Sequence, residues 1–360
     1  MDFSGLKIGY WPMSKLPSYP VDARNFLYYA KKRNIEFEIA DPAKGYNVVV
    51  LSLGADLTVW KNYPRKKGKI IFLTQESYLA TPKSSIKGHL RGLAKWAARE
   101  HKNLRFNYSR ALQDMCKRAD AVVCSTLEQK NDIQNYCKNV HIILDFHTDV
   151  VQEFKTDYTT GKPIKLVWEG FPENIKCFEP LRELLIELGK SHPISLHLIT
   201  DLVHKKYMRK YWTLSTTQEI QSVFGKKHTF LNDQFTVVLH QWSSNILSRI
   251  VTGCDIAMIP LDLNTPHSVG KPENKLLLFW RMGMPVVVSA TPAYTRAMEA
   301  CGLDLYCKNN ADWMKKLERL IIDTEVRKSA GTAGKQHTDI CHSEKVYLSH
   351  WDQLFESVLK

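Results

Sequence analysis

Short apolar runs recur through the first 150 residues: Leu6–Trp11, Glu36–Ala40, Asn47–Leu53, Lys69–Thr74, Ala121–Ser125 and Val140–Leu144. Most are continuous rather than alternating, as expected of strands buried on both faces of a parallel sheet. Helical periodicity fills the gaps at Ala23–Arg33, Ile86–Arg118 and Leu127–Tyr136. The alternation predicts a doubly wound α/β domain over residues 1–151.

A polar stretch then intervenes, with Thr159, Thr160, Gly161 and Pro163 and no apolar period, and residues 152–164 read as a linker. After it the alternation restarts. Strands are expected at Lys165–Trp168, Ser195–Thr200, Phe235–His240, Asp255–Ile259 and Pro285–Ser289. Helices are expected at Phe178–Leu188, Leu202–Trp212, Ser244–Thr252, Asn274–Arg281 and Ala311–Asp323. A second Rossmann-like domain over 165–342 follows, and then a helix over 343–360 carrying Val346, Leu348, Trp351, Leu354, Phe355 and Val358. Two such domains place a cleft between them, faced by strand carboxyl ends.

Length agrees with two domains, since 360 residues exceed one ordinary core. With 44% hydrophobic and 24% charged residues the chain is neither disordered nor fibrous. No apolar run approaches the roughly 20 residues of a membrane span. The N-terminus reads as a first strand rather than a signal peptide, and the eight cysteines form no CxxC pair, so a cytoplasmic protein with free thiols is expected. The charge is uneven. Residues 1–150 hold 24 Lys+Arg against 14 Asp+Glu, and residues 83–118 hold ten basic against two acidic. Such a field attracts phosphates, anionic lipid heads or nucleic acid.

The segment Cys254–Ser289, CDIAMIPLDLNTPHSVGKPENKLLLFWRMGMPVVVS, is the most informative. A strand ends at Pro260, a polar loop containing Gly270 follows, and a helix starts near Glu273–Asn274. Unpaired main-chain N–H groups and the helix dipole favour a phosphate there, and Lys275 adds a point charge. An ordinary buried strand–loop–helix fits the bare pattern equally.

The same stretch resembles the donor-binding core of family 4 and related GT-B glycosyltransferases, which carry an xDIxxxP strand, a loop, a helix and GxPVV. KLVWEG (165–170), FTVVLHQW and SSNILSRIVTGCD (235–255), ADAVVCSTLEQKNDI (119–133) and HIILDFHTDV (141–150) resemble other parts of that fold in order. The resemblance covers roughly Ala119 to Ser289, and the first hundred residues only in pattern. It implies a nucleotide-sugar donor in the C-terminal domain and an acceptor in the N-terminal one. By position it sets Trp242 and Gln241 near the base, Ser268, Val269 and Gly270 near the diphosphate and sugar, Lys275 at the helix start, and Gly170 where a phosphate approaches closely. One departure stands out. Where the family carries two Glu residues separated by seven others, this chain has Gly270 and Leu278. Glu273, at the end of the loop, is the candidate for that role.

On the N-terminal side, Glu76 ends a strand and is a candidate general base. A solvated loop acid is the bland alternative. His147 sits near the domain junction, as an acceptor or phosphate contact or a hinge residue. Glu169 is either cleft-facing or a strand-end charge. Lys87, Arg91, Lys95 and Arg99 recur every four residues and would form one stripe on a helix, either solvated or facing an anionic membrane surface where lipid-linked acceptors reside. No nucleic-acid-binding motif accompanies the charge, so nucleic acid is not an expected partner. No Asp-x-Asp occurs, so no metal site and no cofactor are expected, the nucleotide-sugar being substrate. The reading is a metal-independent glycosyltransferase acting on a glycan or lipid-linked acceptor, at the inner membrane face or free in the cytoplasm. A non-catalytic sugar-nucleotide or glycan-binding scaffold and a nucleotide-sugar epimerase on the same fold are the alternatives.

Overall fold

All ladders of the two main sheets are parallel. Strands such as Val48–Leu51 and Ala121–Cys124 are buried at every position, which requires helices above and below. The structure, a computed structural model, describes residues 3–14, 20–80, 86–104, 106–205, 213–225 and 234–360. Among the described residues no helix is long and apolar enough to cross a membrane.

The chain divides into two units. One comprises Met1–Phe146, Asn264–Pro272 and Ser343–Lys360; the other comprises His147–Leu263 and Glu273–His342. The first unit is built on β1 (Ile8–Trp11), β2 (Glu38–Ile39), β3 (Val48–Leu51), β4 (Lys69–Leu73), β5 (Ala121–Cys124) and β6 (Val140–Ile142), in the order β2-β1-β3-β4-β5-β6. Strand order reverses between β1 and β3. In open parallel sheets the crevice outside the carboxyl ends at such a reversal is where ligands bind.

The second unit contains β7 (Ile164–Glu169), β8 (Ile194–Thr200), the small antiparallel pair β9 (Val203–Lys205) and β10 (Thr213–Ser215), then β11 (Phe235–Gln241), β12 (Ile256–Ile259), β13 (Val286–Ser289) and β14 (Tyr306–Cys307). Its main sheet runs β11-β8-β7-β12-β13-β14, reversing between β7 and β12.

Two expectations are corrected. The helix read as Ile86–Arg118 is two helices, Ile86–Ala97 and Tyr108–Arg118. Arg99 enters the left-handed region at φ 59°, which ends the first, and the Asn107 side chain caps the second by accepting from Arg110 N at 3.2 Å. The helix expected near Leu202–Trp212 begins instead as strand β9, and its remainder lies outside the described residues. An 18-residue helix, Thr324–Cys341, had no apolar period to announce it. Where it lies against the helix Asn274–Arg281 and the turn after it, its face is made of the small residues Gly331 and Gly334. A Cβ on Gly334 would sit 2.3 Å from the Trp280 ring, and one on Gly331 2.3 Å from the Gly283 carbonyl oxygen. Close approach, rather than bulk, seats this helix.

The polar stretch after residue 151 has no regular secondary structure and is fastened to the second unit. Tyr158 Oη donates to Gly283 O at 2.8 Å, Lys155 Nζ to Cys254 O at 2.7 Å, and the buried Arg327 guanidinium to Tyr158 O at 2.9 Å. The final helix, Glu344–Leu359, belongs to the first unit, where Trp351 lies parallel to Tyr29 at 5.3 Å between ring centroids.

Candidate active site

In the second unit the reversal between β7 and β12 gathers several of the expected residues. The helix Asn274–Arg281 has the bounds its periodicity predicts. Leu276, Leu277, Leu278, Phe279 and Trp280 are all buried, so the helix is covered on every side and its first turn is fixed beside the end of β7. Lys275 Nζ donates to the main-chain oxygen of Glu169, lies 3.3 Å from Glu169 Oε2, and sits 5.3 Å from the centroid of the buried Trp168 ring.

Gly170 makes this possible. A Cβ there would fall 2.7 Å from Lys275 Nζ and 2.6 Å from the Trp168 ring. The room that sequence reasoning reserves for a phosphate is thus the room that lets the ammonium reach the strand end. Tyr294, also buried here, is held protonated first by burial and then by the negative potential of Glu273 and Glu169. That interaction places Glu273, at the helix start with Asn274, in the same neighbourhood as Glu169.

Gln241 and Trp242 stand at the carboxyl end of β11, two strands from β7. Two strand spacings are roughly 10 Å. Gln241 Oε1 accepts from Leu202 N at 3.1 Å while its Nε2 donates to Asp201 Oδ1 at 3.1 Å, and Trp242 N donates to Thr200 O. The half-buried Trp242 ring is therefore presented by a tied loop. His147 is buried at the beginning of this unit.

The remaining loop residues go elsewhere. Ser268, Val269 and Gly270 belong to the first unit. Thr265 caps the short turn Pro266–Val269, with its hydroxyl 2.8 Å from Ser268 Oγ. The Gly270 carbonyl accepts from Ser77 Oγ at 2.8 Å, Gln129 Nε2 at 3.0 Å and Thr126 Oγ1 at 3.5 Å. A Cβ at position 270 would lie 2.1 Å from Ser77 Oγ. A glutamate does not fit at 270, and Leu278 is packed into the core at 4% exposure. Both departures from the family pattern are therefore built into the packing.

Glu76 follows β4 and is partly exposed. His267 Nε2 stands 3.3 Å from its Oε2, and the imidazole stacks on Tyr78 at 5.7 Å between centroids. Burial, aided by Lys271 and Arg91 and opposed by Glu76, keeps that imidazole below its ordinary pKa and so neutral at pH 7. Beside Glu76 sits Asp145, which sequence reasoning did not single out. Its Oδ1 accepts from Asn25 Nδ2 at 2.6 Å and from Gln75 Nε2 at 2.8 Å. Burial, with a contribution from Glu76, pushes its pKa up to about 7 against the opposing pull of Arg24 and Asn25.

That shift has a stability consequence with a definite sign. The folded state binds the Asp145 proton more tightly than the unfolded chain does. Stability from this group is therefore complete near pH 4 and lost as pH rises through 7. Asp145→Asn is expected to raise the melting temperature at pH 8, by a gain on the order of 2 kcal/mol, and to leave it nearly unchanged at pH 4. Differential scanning calorimetry at the two pH values checks this. An equal shift at both would remove the titration as its cause.

The expected cationic stripe is divided. Arg91 stacks on Tyr78 at 4.0 Å and donates to its hydroxyl, and Lys95 pairs with Glu100 at 2.8 Å and faces Tyr108. Arg99 lies past the helix end in the left-handed region. Lys87 lies in the first turn, and its side chain is outside what is described. Among the described side chains of this helix, Leu93 and Trp96 are exposed.

No protein-family model matches the chain, and neither does any curated protein sequence. Solved structures do. TarM superposes with a TM-score of 0.61 at 12% identity, over 86% of this chain and 54% of TarM. A TarM point mutant from S. aureus, solved with fondaparinux, alpha-GlcNAc-glycerol and UDP, gives 0.54 at 12% identity over 86% and 55%. An α,α-trehalose 6-phosphate synthase from Burkholderia multivorans gives 0.51 at 12% identity over 87% and 69%. The chain spans about half the length of the TarM structures. Two six-stranded parallel sheets, each reversing at one strand pair, together with these matches, give the chain the GT-B fold.

Proposed function

We propose that the protein transfers a sugar from a nucleotide-sugar donor to a hydroxyl of a glycan or lipid-linked acceptor, without a divalent metal. One observation carries the reading. At the strand-order reversal of the second sheet, Lys275, in the first turn of a helix of eight residues, is held at the end of β7 by Glu169 and Trp168. A diphosphate leaving group needs cation and main-chain N–H groups at that point. The end of β11, with Trp242 and Gln241, suits the base of the same nucleotide.

On the first unit, Glu76 is the proposed general base. It takes the acceptor hydroxyl proton as the acceptor oxygen bonds to the anomeric carbon, and the bond from that carbon to the diphosphate oxygen breaks. Neutral His267 positions its carboxylate, and Asp145 beside it exchanges a proton near neutrality. The complex of the TarM mutant with UDP and glycans supports this class of donor and acceptor.

A thermal-shift panel of nucleotide sugars tests the reading. The right donor at 100 times its Kd should stabilise the fold by about 2.7 kcal/mol, and transfer should survive EDTA. A panel in which no nucleotide or nucleotide sugar shifts the melting curve sinks it. The packing of Gly270 and Leu278 favours a second reading, a sugar-nucleotide-binding scaffold, which would bind donor and turn over none of it. Product formed from donor alone would instead identify an epimerase.

A further inference from the structure

The helix Leu127–Gln134 follows β5, and Thr126 caps it by accepting from Gln129 N at 3.1 Å. Gln129 is a glutamine of the interior, 3% exposed. A buried amide costs stability unless its donors and its acceptor are met. Here they are. Ser125 N donates to its Oε1 at 2.9 Å. Its Nε2 faces Gly270 O at 3.0 Å, Ser77 Oγ at 3.2 Å and Gln75 O at 3.4 Å. The Ser125 N–H can only donate, so the amide cannot turn over. Its oxygen stays on Ser125, and both its protons stay on the other three groups.

Those partners frame Glu76 and His267. Gln75 and Ser77 are the residues on either side of Glu76. Gly270 closes the short turn Pro266–Val269 that carries His267, its N–H donating to Pro266 O at 3.2 Å. Ser77 Oγ donates its own proton to the Gly270 carbonyl at 2.8 Å, which leaves its lone pairs for Gln129. All of these residues lie in the first unit. One amide therefore fixes the strand end that bears the carboxylate and the turn that bears the imidazole.

The pair does not hold itself. His267 Nε2 stands 3.3 Å from Glu76 Oε2 with side-chain exposures of 39% and 42%. A contact that open contributes at most about 1 kcal/mol. The frame behind it has several buried hydrogen bonds, each of about that size, with a further penalty for any donor left unmet. The frame sets the geometry and the pair follows.

We infer that Gln129 is a positioning residue: by holding the Gly270 carbonyl and the main chain around Glu76 in one amide-centred frame, it keeps His267 against the Glu76 carboxylate. Its part in sugar transfer rests on the reading of Glu76 as the base. The positioning itself does not.

The test reads the pair directly. In the full chain with isotope-labelled histidine, the His267 nuclear magnetic resonance signal is identified by its absence in His267→Gln and followed across pH. Burial, Lys271 and Arg91 lower the pKa of that ring, and Glu76 raises it. Glu76→Gln is therefore expected to lower it in the wild-type background, by about half a unit, the size of an exposed charge contact. That shift should be lost in Gln129→Met, which keeps the volume and removes every donor. It should be lost equally in Gln129→Glu, whose ionised carboxylate has no proton for the Gly270 carbonyl. Near-ultraviolet circular dichroism checks that the variants are folded. If neither folds, Ser77→Ala, which removes one hydrogen bond to the same carbonyl, carries the test with a smaller loss of the same sign. A Glu76→Gln shift of wild-type size in a folded variant overturns the proposal and leaves the amide a purely structural tie. A wild-type His267 pKa that does not respond to Glu76→Gln overturns it too, since there is then no contact to position. Sugar transfer that survives Glu76→Gln sinks the general-base reading instead and leaves the positioning result standing, so the two failures are told apart.

Discussion

Lys275→Ala is expected to lower kcat/KM for sugar transfer by about 10²–10³-fold and to erase most of the stabilisation that a nucleotide confers, an effect of the size seen when one preorganised electrostatic contact to developing charge is removed. Two features of the site enlarge it. The ammonium is braced by the Glu169 carboxylate and main-chain oxygen and by Trp168, so it needs little reorganisation as the leaving group gains charge. Its removal also leaves Glu169, with 16% side-chain exposure, as an uncompensated anion where a diphosphate would sit. Repulsion is then added to the lost attraction. Lys275→Arg should restore little, because the longer planar guanidinium must fit the space that Gly170 leaves for a single Nζ. The unliganded protein should also lose stability, by roughly 3 kcal/mol, because the mostly buried Glu169 carboxylate is left unpaired. Steady-state kinetics and thermal shifts of the two variants decide the matter. Wild-type turnover in Lys275→Ala would remove the diphosphate from this helix.

Both parallel sheets were legible because β3, β4, β5, β7, β12 and β13 are nearly continuous apolar runs, and burial on both faces leaves no other arrangement. The helix Asn274–Arg281 was legible in full, since its apolar period is dense and a loop and a glycine bound it. Thr324–Cys341 was not, because its contact face is Gly331 and Gly334. The signal for close approach is an absence of side chain, which no hydrophobic pattern reports. In the site, Lys275 and Gly170 lay in motifs contiguous in sequence. The cluster of Asp145, Glu76 and His267 draws on three segments far apart in the chain, and Asp145 gains its raised pKa from burial and from the Glu76 carboxylate, both of which only the fold supplies. Ser77 and Gln129 share the Gly270 carbonyl for the same long-range reason. The cationic stripe misled because four-residue spacing assumes one unbroken helix with an outward face. Tyr78 and Tyr108 draw Arg91 and Lys95 inward, and the helix stops before Arg99.

Trp351→Ala is expected to destabilise the first unit by roughly 3–5 kcal/mol, the cost of emptying a large buried aromatic site that cannot collapse. The indole is fully buried. It lies parallel to Tyr29 at 5.3 Å and meets Phe26 at 5.9 Å and Phe355 at 6.4 Å. Leu354, Phe355 and Val358 are buried on the same helix, so the final 16-residue helix supplies a wall of the core around Ile8, Tyr10 and Val50. The polar bonds at its edge are secondary. Arg33 Nε donates to Asp352 Oδ1 at 3.0 Å and the buried Tyr29 Oη to the same oxygen at 2.8 Å, but the Arg33 and Asp352 side chains reach solvent, and Asp352→Asn should cost about 1 kcal/mol or less. Because a domain is stable by only about 5–15 kcal/mol, the tryptophan variant loses a large fraction of the margin. Urea unfolding followed by near-ultraviolet circular dichroism should show an earlier transition for the first unit, with nucleotide binding by the second retained below it. If the variant unfolds at the wild-type midpoint, the C-terminal helix is an appendage and not a wall of the core.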